Sequence, residues 1–337
     1  MEEKPEITIA DVARAAGVSA TTVSHALSGN RPVSSATVEK VRATAAALGY
    51  RPNPVAASLR TRRTQTVALV IPDITNPFYP MLARGLQDAL AEANYHIFIC
   101  NTDQDSELER ELVADLVQRQ VDGVVIAPFG LTPADVEATL GRGVWMVSLG
   151  PALDHPEVDV VEVDDAGGAR QVAHHLTELG HRRIALIAGT ARTGVEREKG
   201  FRAGLADAGV ALDDALVVAG DWTQDGGAQA LEQLLEQPDP PTAVFCANDL
   251  MAIGALSVAT ARGLRVPENL SIVGFDDVDA AARLTPSLTT VRNPAYAMGE
   301  KAGRLVLARL AGQRAGDPAH CLLPCSLVER QSTTRRS

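Results

Sequence analysis

The stretch from Thr8 to Arg31 constrains the fold more than any other part of the sequence. Thr8 and Asp11 have the spacing of a capping box, a hydrogen-bonded arrangement that begins a helix. Gly17 supplies a left-handed residue that ends a helix, and Ser19 is a favourable N-cap for the next one. The apolar residues of the first helix fall on one face, at Ile9, Val12, Ala13 and Ala16. This pattern predicts a helix-turn-helix.

The predicted second helix has two distinct faces. Its apolar face is formed by Val23, Ala26 and Leu27. Ala20, Thr21 and His25 fall on the opposite face, where small, hydroxyl and imidazole groups suit the base edges of a major groove. Two core helices of a larger helical domain have the same spacing. A third apolar stripe between Ser34 and Gly49 favours the DNA-binding interpretation, because three helices are enough to bury such a motif.

Charge is distributed unevenly along the chain. Residues 1–63 hold nine Lys or Arg and five Asp or Glu, a net charge of +4, whereas the rest of the chain has a net charge of −15. A phosphate backbone responds to the local charge. The first segment therefore suits nucleic acid, although the net charge of the whole chain is −11.

From Thr66 onward, short apolar runs alternate with amphipathic helical segments. Continuous apolar strands between helices are typical of parallel sheets covered on both faces. Two successive sets of these units predict two doubly wound subdomains, with ligands bound beyond the carboxyl ends of the strands. The predicted strands are Val67–Ile71, His96–Cys100, Gly123–Ala127, Trp145–Leu149, Asp159–Val163, Ile184–Ala188, Leu216–Ala219, Ala243–Ala247 and Ser271–Phe275.

A series of motifs follows the helix-turn-helix segment along the chain. They are GYRPN from Gly49, SLRTRRTQTVALVIPDITNPFY from Ser58, GHRRIALIAG from Gly180, CANDLMAIGAL from Cys246, VGFDD from Val273 and LTTVRNP from Leu288. Together they resemble the lactose/galactose repressor (LacI/GalR) family of bacterial transcription regulators over essentially the whole chain. The resemblance implies an all-α helix-turn-helix head with a hinge helix, followed by a periplasmic-binding-protein-like α/β body of two doubly wound parallel-sheet subdomains.

The resemblance also implies domain boundaries. We expect a DNA-binding domain over 1–53, a hinge helix and linker over 54–64, and an effector-binding and dimerisation domain over 65–337. The family's chain crosses over between its subdomains. The first subdomain is therefore expected at about 65–163 and 292–323, and the second at about 164–291 with the C-terminal tail.

The resemblance implies a homodimer that binds a pseudo-palindromic operator. Asn53 and Pro54 suit an N-cap and a first helical residue, and they begin a hinge helix too short to persist alone in water. In the family, this helix orders when two copies pair over the operator, and Leu59 is then expected to enter the minor groove as an apolar wedge. The residues expected to contact DNA are Thr8, Ser19, Ala20, Thr21, Thr22, Ser24, His25, Asn30, Arg31, Tyr50, Asn53, Ala56, Leu59 and Arg60.

Polar and aromatic side chains follow several predicted strands. Only 12 of 337 residues are aromatic, yet Phe78, Tyr79 and Trp222 lie just past strand ends, and aromatic faces stack on sugar or purine rings. Carboxylate, amide and guanidinium groups each make paired hydrogen bonds to hydroxyl groups or a base. By resemblance, we expect a sugar, sugar phosphate or nucleoside-like effector. The expected effector-binding residues are Asp73, Phe78, Tyr79, Arg197, Trp222, Asn248 and Asp276.

Some residues near these strand ends also have a structural interpretation. For Asp249 we expect a helix cap rather than a ligand contact, and Asp277 suits the same role. Phe78 suits packing in the core, and Trp222 suits a turn anchor.

Other classes of protein fit the sequence less well. The motifs GxSxG, GxxxxGK[ST] and HExxH are absent, so we expect no catalytic residue, metal or cofactor. The four cysteines lack zinc-site spacing and suit buried free thiols in a reducing cytosol. Neither a membrane-spanning run nor a secretory signal is present. We therefore expect a cytoplasmic regulator with no membrane partner, not an exported sugar-binding protein.

Two modes of regulation fit the sequence. A sugar-type pocket favours a repressor that its ligand releases from DNA. The alternative is corepression by a purine or nucleoside, or by a phosphorylated carrier protein.

Overall fold

A computed structural model describes residues 7–28, 31–51, 63–150, 153, 155–312 and 317–336. The chain divides into two compact units, residues 1–64 and residues 65–337. Within the described ranges, every helix is too short or too polar to cross a bilayer.

The described part of the first unit is a head of three helices, α1 (Ile9–Ala16), α2 (Ala20–Ser28) and α3 (Ser35–Leu48). The backbone N–H of Thr8 donates to Oδ2 of Asp11 across 3.0 Å, and Gly17 ends α1 with a φ of 63°. Ser19 accepts from the backbone N–H of Thr22 across 3.0 Å at the start of α2. The core of the head is formed by Val12, Ala13, Ala16, Val23, Ala26, Val41 and Ala45. The predicted helix-turn-helix is confirmed.

The second unit contains two six-stranded sheets. The strands are β1 (Thr66–Ile71), β2 (His96–Asn101), β3 (Gly123–Ile126), β4 (Trp145–Leu149), β5 (Asp159–Val163), β6 (Ile184–Ala188), β7 (Val217–Ala219), β8 (Ala243–Cys246), β9 (Ser271–Asp276), β10 (Thr289–Arg292), β11 (His320–Leu323) and β12 (Ser326–Val328). The first sheet has the order β11-β5-β4-β3-β1-β2 and the second has the order β12-β10-β9-β8-β6-β7. Among the described residues, every pairing is parallel except that between β10 and β12.

Helices cover both sheets, as the apolar strands predict. They are α4 (Phe78–Ala91), α5 (Ser106–Gln118), α6 (Pro133–Leu140), α7 (Asp165–Glu178), α8 (Ala191–Asp207), α9 (Gln224–Leu235), α10 (Asp249–Ala261) and α11 (Ala295–Leu310). All nine predicted strands are present, and each predicted end lies within one residue of the observed end. The predicted fold class is confirmed.

The chain passes between the two sheets three times, after β5, β10 and β11. The return through α11 brings that helix against α4, where their backbones come very close. A Cβ on Gly85 would lie 2.0 Å from the carbonyl oxygen of Tyr296, and one on Gly299 would lie 2.0 Å from that of Leu82. Glycine at both positions therefore allows the two helices to meet.

A buried ion pair holds the second crossover against the first sheet. Arg309 of α11 donates from Nε and Nη2 to the two carboxylate oxygens of Asp159, each across 2.9 Å. The backbone N–H of Ala319 adds a third hydrogen bond to the same carboxylate, across 2.6 Å. Asp159 thus joins α11, β5 and the segment before β11.

The four cysteines are free thiols, but only Cys246 is buried. The expectation of burial is wrong for Cys100, Cys321 and Cys325, which are half-buried. Cys100 and Cys321 lie in β2 and β11, which form the two edges of the first sheet and are covered less completely than the central strands.

Candidate functional site

A cavity of about 180 Å³ lies at the carboxyl ends of the strands of both sheets. Its walls come from the ends of strands β1 to β7, β9 and β10 and from the loops and helix starts that follow them. Doubly wound sheets bind ligands at this edge because the loops that leave parallel strands meet there.

Arg197 of α8 is the central charged group of the cavity. It is 3% exposed, and its Nε donates to Oδ1 of Asp165 across 2.8 Å. Nη2 lies 3.5 Å from Oδ1 of Asp276, and Nη1 donates to the carbonyl oxygen of Ala247. Burial opposes the charge of Arg197, but the carboxylates of Asp165 and Asp276 still raise its pKa. The guanidinium is therefore held in a fixed orientation, with its planar face 3.7 Å from the ring centre of Phe275.

Asp276 ends β9 in a conformation that is uncommon for a residue with a side chain, with a φ of 116°. Such strain is frequent where a ligand is held. Burial raises the pKa of Asp276 to about 6, and the charge of Asp165 adds to this effect. Arg197 and Asn293 act in the opposite direction, because each stabilises the ionised carboxylate.

Asn293 follows β10 and extends the polar wall. Its Nδ2 donates to Oδ1 of Asp276 across 3.1 Å. Its Oδ1 is buried and has no hydrogen-bond partner within the described part of the chain. A buried acceptor without a donor is costly, so this atom is suited to a hydroxyl group of a ligand.

Aromatic side chains form the remaining walls. Phe78 and Tyr79 begin α4 and meet edge to face, with ring centres 5.2 Å apart. Burial raises the pKa of Tyr79, so its phenol stays protonated. Trp222 packs so closely on Gly189 that a Cβ there would lie 2.2 Å from the indole ring. Phe129, after β3, presents a ring that is 45% exposed.

A chain of hydrogen bonds connects two lining residues, Trp222 and Gln104, through Thr190. Nε1 of Trp222 donates to Oγ1 of Thr190 across 2.9 Å. Oγ1 of Thr190 then approaches Oε1 of Gln104 at 3.4 Å. Thr190 and Trp222 follow strands of the second sheet, whereas Gln104 follows β2 of the first sheet. The contact therefore joins the two subdomains beside the site.

Six of the seven expected effector-binding residues line the cavity: Asp73, Phe78, Tyr79, Arg197, Trp222 and Asp276. Asn248 is fully buried and does not line it. Its Oδ1 instead accepts from the backbone N–H of Met251, and its Nδ2 donates to the carbonyl oxygen of Trp222. Asn248 therefore caps α10 and holds the segment that carries Trp222.

The expectation that Asp249 caps a helix is wrong, because the N-cap of α10 is Asn248. The buried carboxyl group of Asp249 accepts from Oγ1 of Thr290 across 2.5 Å and from the backbone N–H of Val278 across 2.8 Å. Asp277 is not a cap either, since its side chain pairs with Arg292 and Arg330.

Sequence reasoning missed several lining residues. Asp165 follows β5. Its position just after a strand could have identified it from the sequence, as it identified Asp73. Asn293 follows a strand that the apolar pattern does not predict. Gln104 and Phe129 lie in loops, and nothing in the local sequence indicates that their side chains meet the cavity.

The expected DNA-contacting residues fall into three groups. Exposed residues of the head are Thr8, Ser19, Ala20, Thr21 and Arg31, and half-buried ones are Thr22, Ser24, His25 and Tyr50. Asn30, Asn53, Ala56, Leu59 and Arg60, with the hinge helix, lie outside the described residues. Ser19 and Thr22 are hydrogen-bonded to each other at 2.8 Å, so this pair also fixes the start of α2.

No group of three or more His, Cys, Asp or Glu side chains in the described ranges has an arrangement suited to a metal ion. The charged groups of the cavity are instead arranged for hydrogen bonding.

Comparisons with family models divide the chain in two. Residues 8–53 match the model "Bacterial regulatory proteins, lacI family", and residues 173–333 match "Periplasmic binding protein-like domain".

Known proteins resemble the chain over nearly its whole length. Catabolite control protein A of Priestia megaterium is 37% identical over 330 residues, covering 97% of this chain and 99% of that protein. The HTH-type transcriptional repressor CytR of Escherichia coli K12 is 35% identical over 335 residues, covering 98% of each.

Two solved structures are similar in fold as well as in sequence. The lac repressor dimer bound to operator and the anti-inducer ONPF has a TM-score of 0.86 at 29% identity, covering 98% of this chain and 99% of that one. The transcriptional regulator CelR in complex with cellobiose has a TM-score of 0.72 at 38% identity, covering 97% of this chain and 100% of that one.

Proposed function

This chain belongs to the lacI family of bacterial regulatory proteins, and we propose that it is a repressor that a small, uncharged sugar releases from DNA. In this proposal, a homodimer binds a pseudo-palindromic operator through its two heads. The sugar occupies the cavity between the subdomains, and the body has a binding rather than a catalytic role.

The observation that carries the proposal is the hydrogen-bonding wall formed by Asp276, Asn293 and Arg197. Asp276 and the unpartnered Oδ1 of Asn293 are acceptors, and hydroxyl groups are their natural donors. The aromatic rings of Phe78, Tyr79 and Trp222 suit the C–H faces of a sugar ring. The solved structure of the relative CelR contains cellobiose, which agrees with this chemistry.

Charge favours a neutral sugar over a sugar phosphate. The charged lining residues are the acids Asp73, Asp165, Asp221 and Asp276 and the bases Arg192 and Arg197. Arg197 already contacts two carboxylates and a carbonyl oxygen. A phosphate would therefore enter a site with more acids than bases, at a substantial electrostatic cost.

Size favours a single ring. Pockets for drug-sized ligands typically have volumes of about 300–1,000 Å³, whereas this cavity measures about 180 Å³. A monosaccharide is therefore favoured over a nucleoside or a disaccharide.

Exposed apolar side chains on β2, the edge strand of the first sheet, and on α4 support a homodimer. Phe98 and Ile99 of the edge strand β2 are 51% and 44% exposed, and Met81 of α4 is 47% exposed. Exposed apolar groups of this kind mark protein interfaces. The lac repressor, with its TM-score of 0.86, was solved as a dimer on its operator.

Release from DNA requires that the sugar bind one conformation of the body more tightly than the other. Closure around the sugar is expected to change the separation of the two hinge segments. Two heads held at the wrong separation do not match two half-sites together, and the operator affinity therefore falls.

The proposal is tested by fluorescence anisotropy with symmetric DNA sites from upstream of the protein's own gene. We expect tight binding by the wild type and release by one monosaccharide of a panel containing D-glucose, D-galactose, D-ribose and D-xylose. Asp276→Asn should bind the same DNA but resist release. Leu59→Ala should bind the sugar and lose most operator affinity, because the wedge in the minor groove is removed.

Three results contradict the proposal. The first is a protein that ignores every symmetric site, and the second is a stable monomer. The third is tighter operator binding in the presence of a nucleoside or of a phosphorylated carrier protein when no sugar acts, which would instead support corepression. Wild-type operator affinity in Leu59→Ala would remove the wedge from the mechanism.

A further inference from the structure

Glu109 of α5 is a carboxylate without solvent access. Its Oε2 accepts from the backbone N–H of Phe129 across 2.9 Å. Its Oε1 accepts from the backbone N–H of Gly130 across 2.8 Å and from that of Leu131 across 2.9 Å. None of the ion pairs in the described part of the chain includes Glu109, so these three N–H groups replace the water that burial removes.

This arrangement constrains the segment after β3. Burial of a carboxylate is costly unless hydrogen bonds compensate for it, and charge-assisted hydrogen bonds are stronger than neutral ones. Three consecutive backbone N–H groups meet one carboxylate only if the chain curves around it. Glu109 therefore selects one backbone conformation for residues 129–131.

Gly130 fixes the same segment from its other side. A Cβ on Gly130 would lie 2.2 Å from Cβ of Ser106 and 2.9 Å from its Cα, at the start of α5. The segment is thus packed directly on the helix that carries Glu109. A side chain at residue 130 would push it outward, because the backbone of Ser106 has no flexible end that can move aside.

The segment carries one wall of the cavity. Ala127, Pro128 and Phe129 all line it, and the Phe129 ring is 45% exposed. A half-exposed aromatic side chain on a loop has little packing of its own to hold it in place. The position of this ring therefore depends on its backbone, and the backbone N–H of Phe129 is held by Glu109.

We infer that Glu109, although it does not line the cavity, is a positioning residue that fixes Phe129 against the sugar and thereby sets the affinity of the site. The inference rests on the proposed function, since it concerns the ligand of the same cavity. Phe129 contributes a ring face to the bound sugar, and Glu109 acts only through Phe129.

The test compares Glu109→Gln with Glu107→Gln in the full-length protein. Glutamine keeps the shape of the side chain but turns one acceptor into a donor that faces a backbone N–H. Glu107 is an exposed neighbour two residues earlier in α5 and serves as the matched control. Amide exchange of residues 129–131, followed by mass spectrometry without ligand, should be at least about tenfold faster in Glu109→Gln and unchanged in Glu107→Gln.

Calorimetry with the monosaccharide that binds best among D-glucose, D-galactose, D-ribose and D-xylose gives the functional readout. We expect the Kd to rise about tenfold in Glu109→Gln and in Phe129→Leu, and the double variant to be no weaker than the weaker single variant. Non-additivity is expected because both changes remove one ring contact. Operator affinity without sugar should match that of the wild type in all variants, which separates a local effect from misfolding.

Gly130→Ala displaces the segment without changing Glu109, and decides the question if Glu109→Gln does not fold. It should give the same faster exchange and the same rise in Kd. Wild-type exchange rates in both variants, or faster exchange with an unchanged Kd, overturn the inference. If no sugar binds the wild type, the proposed function fails, and with it the role in sugar affinity, while the exchange data still decide whether Glu109 holds the segment.

Discussion

Asn293 donates to Asp276 across 3.1 Å, while the Oδ1 of the same asparagine is buried with no partner in the described ranges. A buried acceptor without a donor costs about 1–3 kcal/mol. This cost persists in the free protein, and under the proposed function a hydroxyl group of the sugar recovers it by donating to the atom. The pair is therefore organised before the ligand arrives.

Asn293→Leu removes the unpartnered acceptor at nearly constant volume. We expect the affinity for sugar to fall at least about tenfold, since one hydrogen bond to the ligand is lost. We expect the free energy of unfolding to change by less than about 1 kcal/mol, because the loss of the bond to Asp276 is offset by the loss of a buried, unsatisfied atom. Calorimetry and urea denaturation measure the two quantities. A variant that binds sugar like the wild type contradicts the role of Asn293.

The protonation state of Asp276 should control sugar binding near pH 6. An ionised carboxylate accepts hydrogen bonds from hydroxyl groups, whereas a protonated one offers fewer acceptor sites. Because the pKa of Asp276 is about 6, sugar affinity should fall as the pH drops from 7 to 5, by up to about tenfold. Calorimetry at each pH checks this, and Asp276→Asn provides a control in which any residual affinity should vary much less with pH.

The same carboxyl group makes a defined contribution to the pH dependence of stability. Its pKa is raised from 3.8 in the unfolded chain to about 6 in the folded protein. The folded state thus binds its proton more tightly. The resulting stabilisation is complete below pH 3.8 and is lost as the pH rises through about 6.

Between pH 7 and pH 5, the wild type should therefore gain about 1 kcal/mol more stability than Asp276→Asn. Urea denaturation at the two pH values gives this difference. The contributions of the titrating groups that both proteins share cancel when the two proteins are compared. An equal pH dependence in the two proteins would show that Asp276 is already ionised at pH 5.

Thr190 joins Trp222 and Gln104 across the two subdomains beside the cavity, and this link should favour the closed conformation. Gln104→Ala and Thr190→Val each remove it, so each should weaken sugar binding about threefold to tenfold. A double-mutant cycle should give a coupling energy of about 0.5–1 kcal/mol in the free energy of binding. Additive effects would mean that the two side chains act independently, and would remove the link from the closing mechanism.

The sheets could be predicted because their central strands are buried on both faces. Val67–Ile71 and Ile184–Ala188 consist entirely of buried apolar residues in the structure, and such runs are recognisable without any knowledge of their neighbours. The returning strands lack this signal. Residues His320–Leu323 of β11 are alternately exposed and half-buried, and their place beside β5 depends on a partner more than 150 residues earlier in the chain.

The site could be predicted in part, for a similar reason. Asp73 and Trp222 directly follow strands, and the carboxyl ends of parallel strands converge. Asn248 also follows a strand, but a stronger local interaction determines its role, because its side chain accepts from the backbone N–H of Met251 at the start of α10. The backbone of Phe129, which lines the cavity, is held by a hydrogen bond to Glu109, a contact that joins residues 20 positions apart.

Asp159→Asn should be strongly destabilising, because it removes the carboxylate that pairs with the buried guanidinium of Arg309. Both side chains are at least 95% buried, and two hydrogen bonds of 2.9 Å join them. Removal of one partner of a buried ion pair typically costs about 3–5 kcal/mol. Asp115→Asn is the matched control, since Asp115 pairs at the end of α5 with an Arg119 side chain that is 64% exposed, and exposed pairs contribute at most about 1 kcal/mol. Urea denaturation should rank the two variants in this order. Equal losses would mean that the Asp159 carboxylate does not hold α11 against β5, and that apolar packing between α4 and α11 maintains the crossover instead.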